Sequence, residues 1–334
     1  MPRNTPNVTN QPFRQGKVRK PAPGWRQNLR TLAITTSLGG ILAYGLSMLP
    51  LPVAAEGETQ PSPKEKSSSA SPQPPARQAN TSEAATAYVA EAHRSLANRR
   101  SIQAAISQVV AINGTKLELK GRYVNSGLKL RLELATRLPG GSEGRLLEVC
   151  DGNVLWSQMD LIDTHRVTRR DVRQILAAVS AGSANPQAIL TAELGLGGIP
   201  GLLAGLQQDV DFQELSELPE EDVTRVLVRG VWKPAFLQKI GAGRELPPYI
   251  PEQIQIVFHP TTLVPEEIRY LKAVKEGGTQ TLVVLKFHEV LLDEAVHDQL
   301  FLFMPPEDIV PEDVTRQYVE QISKSKEAPA TNTP

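Results

Sequence analysis

The sequence predicts a mostly β, α+β domain: a long antiparallel sheet that curls toward a barrel, with a few helices. Three observations predict it. About ten strand-like runs follow one another at short spacing through the second half of the chain and the segment before it. A helical pattern precedes them. A second helical stretch, 169–206, interrupts them. A long antiparallel sheet must manage its edges, and curling toward a barrel is the usual answer. If its inner face is hydrophobic, the sheet either packs on a helix or encloses an apolar cavity.

The chain opens with an export signal. Residues 1–30 carry Arg3, Arg14, Lys17, Arg19, Lys20, Arg26 and Arg30, and the first acidic residue is Glu56. Residues 31–55 hold an apolar run from Thr31 to Leu49, then Pro50, Pro52 and the small residues Val53-Ala54-Ala55. Basic, apolar and small-residue regions in that order direct export to the periplasm or cell envelope, with the positive end left in the cytoplasm. An uncleaved run of about 20 apolar residues could anchor the chain in the inner membrane. Thr35, Thr36, Ser37, Gly39, Gly40, Gly45 and Ser47 dilute it, which favours cleavage after Ala55 and a soluble form.

Residues 56–82 are rich in Pro, Ser, Gln and Ala and read as a disordered spacer, as does the tail 323–334. The ordered body is expected over 84–322. Ser82 is placed to cap its first helix, with Tyr88, Ala92, Leu96, Ile102 and Ile106 at helical spacing. Strands are then expected from Lys116, from Lys129 to Leu138, and on both sides of Asp151-Gly152, a hairpin signal because both turn positions favour positive φ. A short strand follows near Thr164. Thr168-Arg-Arg-Asp171 fits a capping box, and Val172, Ile175, Leu176 and Val179 share a helical face. Asn185-Pro186 starts a helix to about Leu194, and Pro200 another to about Leu206. Strands return near 209–215, 223–233, 253–259, 267–275, 280–290 and 299–303. Pro311 begins a final short helix.

In this order the residues resemble the periplasmic lipoprotein-carrier (LolA-like) superfamily. The resemblance runs from about Ala84 to Val319. It is carried by Gly121-Arg-Tyr, Leu130-Arg-Leu-Glu, Cys150-Asp-Gly-Asn-Val-Leu-Trp156, Leu263-Val-Pro-Glu-Glu-Ile-Arg-Tyr and Leu300-Phe-Leu-Phe-Met-Pro-Pro-Glu-Asp-Ile-Val. It implies a half-barrel whose concave face holds acyl chains. The helices of 169–206 would be a plug or lid, with the glycines from Gly195 to Gly201 as hinges. It also implies that Arg131 contacts and closes the lid. Strand alternation puts Leu130, Leu132 and Leu134 on one face and Arg131 on the other, in solvent. The chain departs from the compact carriers in a Pro-rich insertion from Trp232 to Pro251.

Other motifs carry less. Gly195-Leu-Gly-Gly-Ile-Pro200 has Pro where a dinucleotide fingerprint needs its third Gly, and a helix precedes it, so it reads as a loop between helices. His93, His165, His259, His288 and His297 form no metal-ligand pair at helical spacing, and Ala181-Gly-Ser-Ala lacks the second Gly of a nucleophile elbow. No catalytic residue, metal set or cofactor loop emerges, which argues against an enzyme; carboxylates assembled only in space remain open. Cys150 is the single cysteine, so no intrachain disulfide forms, and it reads as a buried small hydrophobe. Without the seven basic residues of the signal, 29 basic residues face 36 acidic ones, a net of about −7, which excludes nucleic acid as a natural partner.

The expected function is therefore a carrier module for a lipid acyl chain or lipoprotein anchor. Its candidate ligand-binding residues are Leu130, Leu132, Leu134, Trp156, Ile256, Phe258, Leu285 and Phe287. Trp156 fits a cavity wall or a core plug. The alternative is a membrane-tethered sensor or scaffold that uses the same fold to bind an inner-membrane protein partner, with 56–82 giving reach.

Overall fold

A computed structural model describes residues 76–112, 115–137, 141–161, 164–180, 198–219, 223–239, 250–274 and 277–320. The export signal, most of the spacer, the helix expected from Pro186 and the tail lie outside the described residues. Helix α1 (Ala76–Ala97) leads into a meander of six strands: β1 (Ile102–Ile112), β2 (Thr115–Ser126), β3 (Lys129–Arg137), β4 (Glu143–Asp151), β5 (Val154–Leu161) and β6 (Thr164–Asp171). Helices α2 (Val172–Ser180) and α3 (Gly198–Asp209) follow. A second meander comprises β7 (Val210–Leu218), β8 (Arg225–Trp232), β9 (Gln253–Phe258), β10 (Pro265–Ala273) and β11 (Thr279–Leu292), with the short helix α4 (Pro234–Lys239) before β9. The chain then makes a 3-10 turn (Asp298–Phe301), the two-residue strand β12 (Glu312–Asp313) and a helical turn at 315–320.

All twelve strands form one sheet, in the order β12-β6-β5-β4-β3-β2-β1-β11-β10-β9-β8-β7. The two meanders join where β1 pairs antiparallel with β11, and every pairing is antiparallel except β12 with β6. The sheet is curved and not closed into a barrel, the incomplete half-barrel that the resemblance implied. Its concave face is filled by helices. Helix α1 turns Ala85, Val89, Ala92 and Leu96 inward, a stripe at helical spacing, and α3 adds Ile199, Leu203 and Leu206. These side chains form one cluster with the inward residues of both meanders.

Four local expectations change. Helix α1 begins six residues before Ser82, inside the stretch read as spacer. Ser82 does not cap it: its hydroxyl donates to the Phe212 carbonyl (2.7 Å) on the edge strand β7, tying helix to sheet. Ile102 and Ile106 lie on β1, a central strand. Their spacing of four satisfies a helix and a strand alike, and Ala104 and Val110 complete the period-2 stripe. Thr168 belongs to β6, and Asp171 is the residue that caps α2, its Oδ1 accepting from the Gln174 amide at 2.8 Å. The segment expected as a strand at 299–303 is a 3-10 turn and an extended strap laid across the outer face of the sheet. Phe301 is buried while Leu302 is exposed, so it alternates because it lies on a sheet, without joining the ladder.

At the β4–β5 hairpin only Gly152 takes a positive φ, 96°. Asp151 stays in β4, and its Oδ1 accepts from the Asn153 and Val154 amides at 2.7 and 2.9 Å. The carboxylate holds this turn in place of a second left-handed residue. In the Pro-rich insertion, Trp232 stacks on Phe236 with ring centroids 4.5 Å apart and donates its indole N–H to the Pro251 carbonyl at 2.8 Å. These contacts fasten both described ends of the insertion to each other.

Candidate functional site

Cross-strand register decides what faces the concave interior, because directly paired residues share a face. One row runs Leu130, Cys150, Leu155 and Arg170 across β3 to β6. The next runs Leu132, Glu148, Ser157 and Thr168. In the other half a row runs Val228, Ile256, Ile268 and Leu285, and continues through Gln108 to Leu119. Leu130, Leu132, Leu134, Ile256, Phe258, Leu285 and Phe287 therefore all meet in one buried cluster under the helices. Phe258 also receives the edge of Tyr88 from α1, ring centroids 5.5 Å apart.

Trp156 does not join them. It pairs with Val149 and Arg169 in the row of Arg131, on the opposite face. There it packs against Phe303 of the strap at 5.6 Å, with the Arg169 guanidinium 6.0 Å from its ring. Parity is the reason: Leu155 takes the inward position, so its neighbour must face out. Arg131 likewise faces out, as alternation required. It ion-pairs with Glu133 and donates to the Leu300 carbonyl at 3.1 Å. Among the described residues its contact is with the strap, not with the helical insert.

Helix α3 is held to the sheet at its first turn. Gly198 has φ of 51°, and the Ile199 amide donates to the hydroxyl of the buried Tyr123 at 3.2 Å. Desolvation pushes the Tyr123 phenol far above its ordinary value, so it stays protonated. Gly201, one of the expected hinges, is buried within α3; Gly195 and Gly197 lie outside the described residues. Cys150 is fully buried, and burial pushes its thiol up to about 12, which leaves it a poor nucleophile.

Several interior residues escaped sequence reasoning. Gln108 is buried on the concave face with its Oε1 unpartnered, and the hydroxyl of Tyr88 is buried without a partner too. The signal for Gln108 was a lone polar residue in the stripe of Ile106 and Val110. Arg170 was hidden because 168–171 read as a helix cap. On a strand, the adjacent Arg169 and Arg170 must point to opposite faces, so one had to turn inward. Arg170 donates to Ser157 Oγ at 3.1 Å, Ser157 donates to Glu148 Oε1 at 3.0 Å, and guanidinium and carboxyl lie 3.9 Å apart. The ring of Tyr318 covers the guanidinium at 5.0 Å.

Burial pushes the Glu148 carboxyl above its ordinary value, against the opposing pull of Arg170 and Ser157. A carboxyl raised in the folded state contributes stability that is fully present below its unfolded pKa and is lost as pH rises through the folded one. Glu148→Gln should therefore gain stability relative to the wild type as pH rises above about 4.5. Urea unfolding at pH 4 and pH 8 checks this. The opposite slope would mean that the guanidinium, not burial, sets the charge of Glu148.

Three of the histidines have structural partners, among them His165, whose Nδ1 lies 3.2 Å from Asp160 Oδ1. His259 Nδ1 accepts from the Thr261 and Thr262 amides at 3.3 Å in the β9–β10 turn, and His288 Nε2 lies 3.1 Å from Ser107 Oγ. Among the described residues, no group of three or more His, Cys, Asp or Glu side chains is arranged to hold a metal ion, and no helix is long and apolar enough to cross a membrane.

No family model matches the sequence, and no curated protein matches it. Solved structures do. A putative outer membrane lipoprotein-sorting protein domain from Vibrio parahaemolyticus is 8% identical with a TM-score of 0.30, covering 66% of this chain and 97% of that one. The lipoprotein LppX of Mycobacterium tuberculosis is 10% identical with a TM-score of 0.35, covering 64% and 98%. MucB in the MucA/MucB complex of Pseudomonas aeruginosa is 12% identical with a TM-score of 0.33, covering 65% of this chain but only 60% of that one. All three overlaps are distant, and the chain's own residues carry the reading that follows.

Proposed function

We propose that this chain is an exported module that binds a lipid acyl chain or lipoprotein anchor, burying it against the concave face lined by Leu130, Leu132, Leu134, Ile256, Phe258, Leu285 and Phe287. The carrying observation is that this aliphatic face is covered by helices of the same chain, with the polar ties of α3 confined to its two ends: Ile199 to Tyr123 at the first turn, and the Gln207 and Gln208 carbonyls to Lys233 at the last. Most of the helix–sheet contact is apolar and non-directional, so an acyl chain can replace a helix face at little cost. Each buried methylene is worth about 0.8 kcal/mol, which gives a single acyl chain useful affinity. The unpartnered Gln108 Oε1 and Tyr88 hydroxyl support the reading, since buried polar atoms inside a finished core are ordinarily paired. The expected export signal supports a role in the periplasm or envelope, with a cleaved, diffusing form suited to a carrier.

A second reading, a tethered sensor or scaffold for an inner-membrane protein, is favoured by the strap. Leu302, Met304 and Val310 are exposed there, the last two almost fully.

Native mass spectrometry of the full chain, purified from the exported fraction without detergent, separates the two. The expected result is a stoichiometric lipid, identified after solvent extraction. A clean apo mass from protein that also takes up no added phospholipid or acylated peptide would move the weight to the scaffold.

A further inference from the structure

The inward row Leu130, Cys150, Leu155 ends at Arg170, which puts a guanidinium at the end of an otherwise apolar row, beside the polar Glu148, Ser157 and Thr168 of the next one. Arg170, Glu148, Ser157 and Thr168 are each more than nine-tenths buried. The cluster is only partly closed on itself. Ser157 spans the gap between guanidinium and carboxyl, and Glu148 itself stands 3.9 Å from Arg170, beyond a direct hydrogen bond. The Nε–H of Arg170 is buried and has no acceptor among the described residues. A charged donor buried without an acceptor is costly, and one oxygen acceptor delivered from the apolar side would relieve it.

We propose that Arg170 is the head-group end of the concave site and that its Nε–H donates to the ester or amide carbonyl that begins an acyl chain, while the chain itself lies along Leu155, Leu130 and Leu132. The inference rests on the lipid-binding reading above and adds to it the class of ligand and the direction in which it lies. A carbonyl suits the position better than a phosphate. It is the polar group joined directly to the acyl chain, and it is cheap to desolvate. A phosphate would enter beside the Glu148 carboxyl, which would have to hold a proton to avoid repulsion. Tyr318, on the helical turn after β12 and packed against the same core cluster as the leucines, covers the guanidinium with its ring.

The test compares three probes with the same sixteen-carbon chain on the full chain purified free of lipid. Monopalmitoylglycerol carries the ester carbonyl, 1-O-hexadecylglycerol replaces it with an ether, and hexadecyl phosphate carries an anion. Competition is read by native mass spectrometry. The wild type is expected to prefer the ester over the ether by about tenfold, the scale of one hydrogen bond to a charged donor. Arg170→Gln should erase that preference while still binding the ether. The double variant Arg170→Gln with Glu148→Gln should do the same without leaving a buried carboxylate unpaired. Equal binding of ester and ether by the wild type, or an ester preference that survives in either variant, would overturn the proposal. So would hexadecyl phosphate binding more tightly than the ester, which would make the cluster an anion site. If no probe binds the wild type, the lipid-binding reading itself fails. The wild-type arm decides even if neither variant folds.

Discussion

Gly121→Ala is expected to destabilise the fold by about 4 kcal/mol or more, a loss reserved for steric conflicts that the structure cannot relax. Gly121 sits in β2 opposite Leu134 of β3. A Cβ there would lie 1.6 Å from the Glu133 carbonyl oxygen and 3.0 Å from the Leu134 Cα. Both are backbone atoms, so no rotamer change can make room. The strands would have to separate, and the β2–β3 ladder that carries Leu132 and Leu134 inward would be lost with them. Denaturant unfolding checks this against Gly127→Ala in the β2–β3 turn. There φ is +60° and nothing lies within 4 Å of the added carbon, so only the left-handed backbone penalty of roughly 1–2 kcal/mol applies. Equal losses in the two variants would show that β2 and β3 are not as closely apposed at Gly121 as described.

Gly198→Ala should detach the first turn of α3 from the concave face. Two costs coincide there. The φ of 51° disfavours any side chain, and the new Cβ would meet the Tyr123 hydroxyl at 1.6 Å. Tyr123 is almost fully buried and cannot swing away freely, so α3 should move and the Ile199–Tyr123 hydrogen bond should break. The expected loss is about 2–4 kcal/mol. Its signature is regional: amide hydrogen exchange should quicken across α3 while β9 to β11 stay protected. Tyr123→Phe removes only the hydrogen bond and should cost about 1 kcal/mol. If exchange in the first turns of α3 is unchanged by Gly198→Ala, the helix is not held at Tyr123, and its only anchor among these is the Lys233 contact at its last turn.

The glycine-rich stretch from Gly195 to Gly201 was legible as a joint between helices, yet its sequence said nothing of Tyr123, 75 positions earlier in the numbering. The same division runs through the candidate site. Leu130, Leu132 and Leu134 could be assigned together from their alternation with Lys129, Arg131 and Glu133. Trp156 could not be assigned, since Leu155 beside it is as apolar and one of the two had to face away. Arg170 was concealed by a local pattern that fits a helix cap as well as a strand end.

By itself the sequence determined the run of antiparallel strands, the shared face of the β3 leucines and the buried Cys150, while the unclosed, helix-filled architecture came from a family resemblance. Alternation and turn chemistry act between near neighbours, so they can be read without knowing the fold. Tertiary structure alone decided that β1 joins the two meanders, that the strap covers the outer face, and that Arg170 enters the interior. The reason is physical. A period of two says which residues share a face, but not which face is the inside. Here both faces of β3 to β6 are covered, one by helices and the other by the strap, so hydrophobicity alone could not mark the concave one.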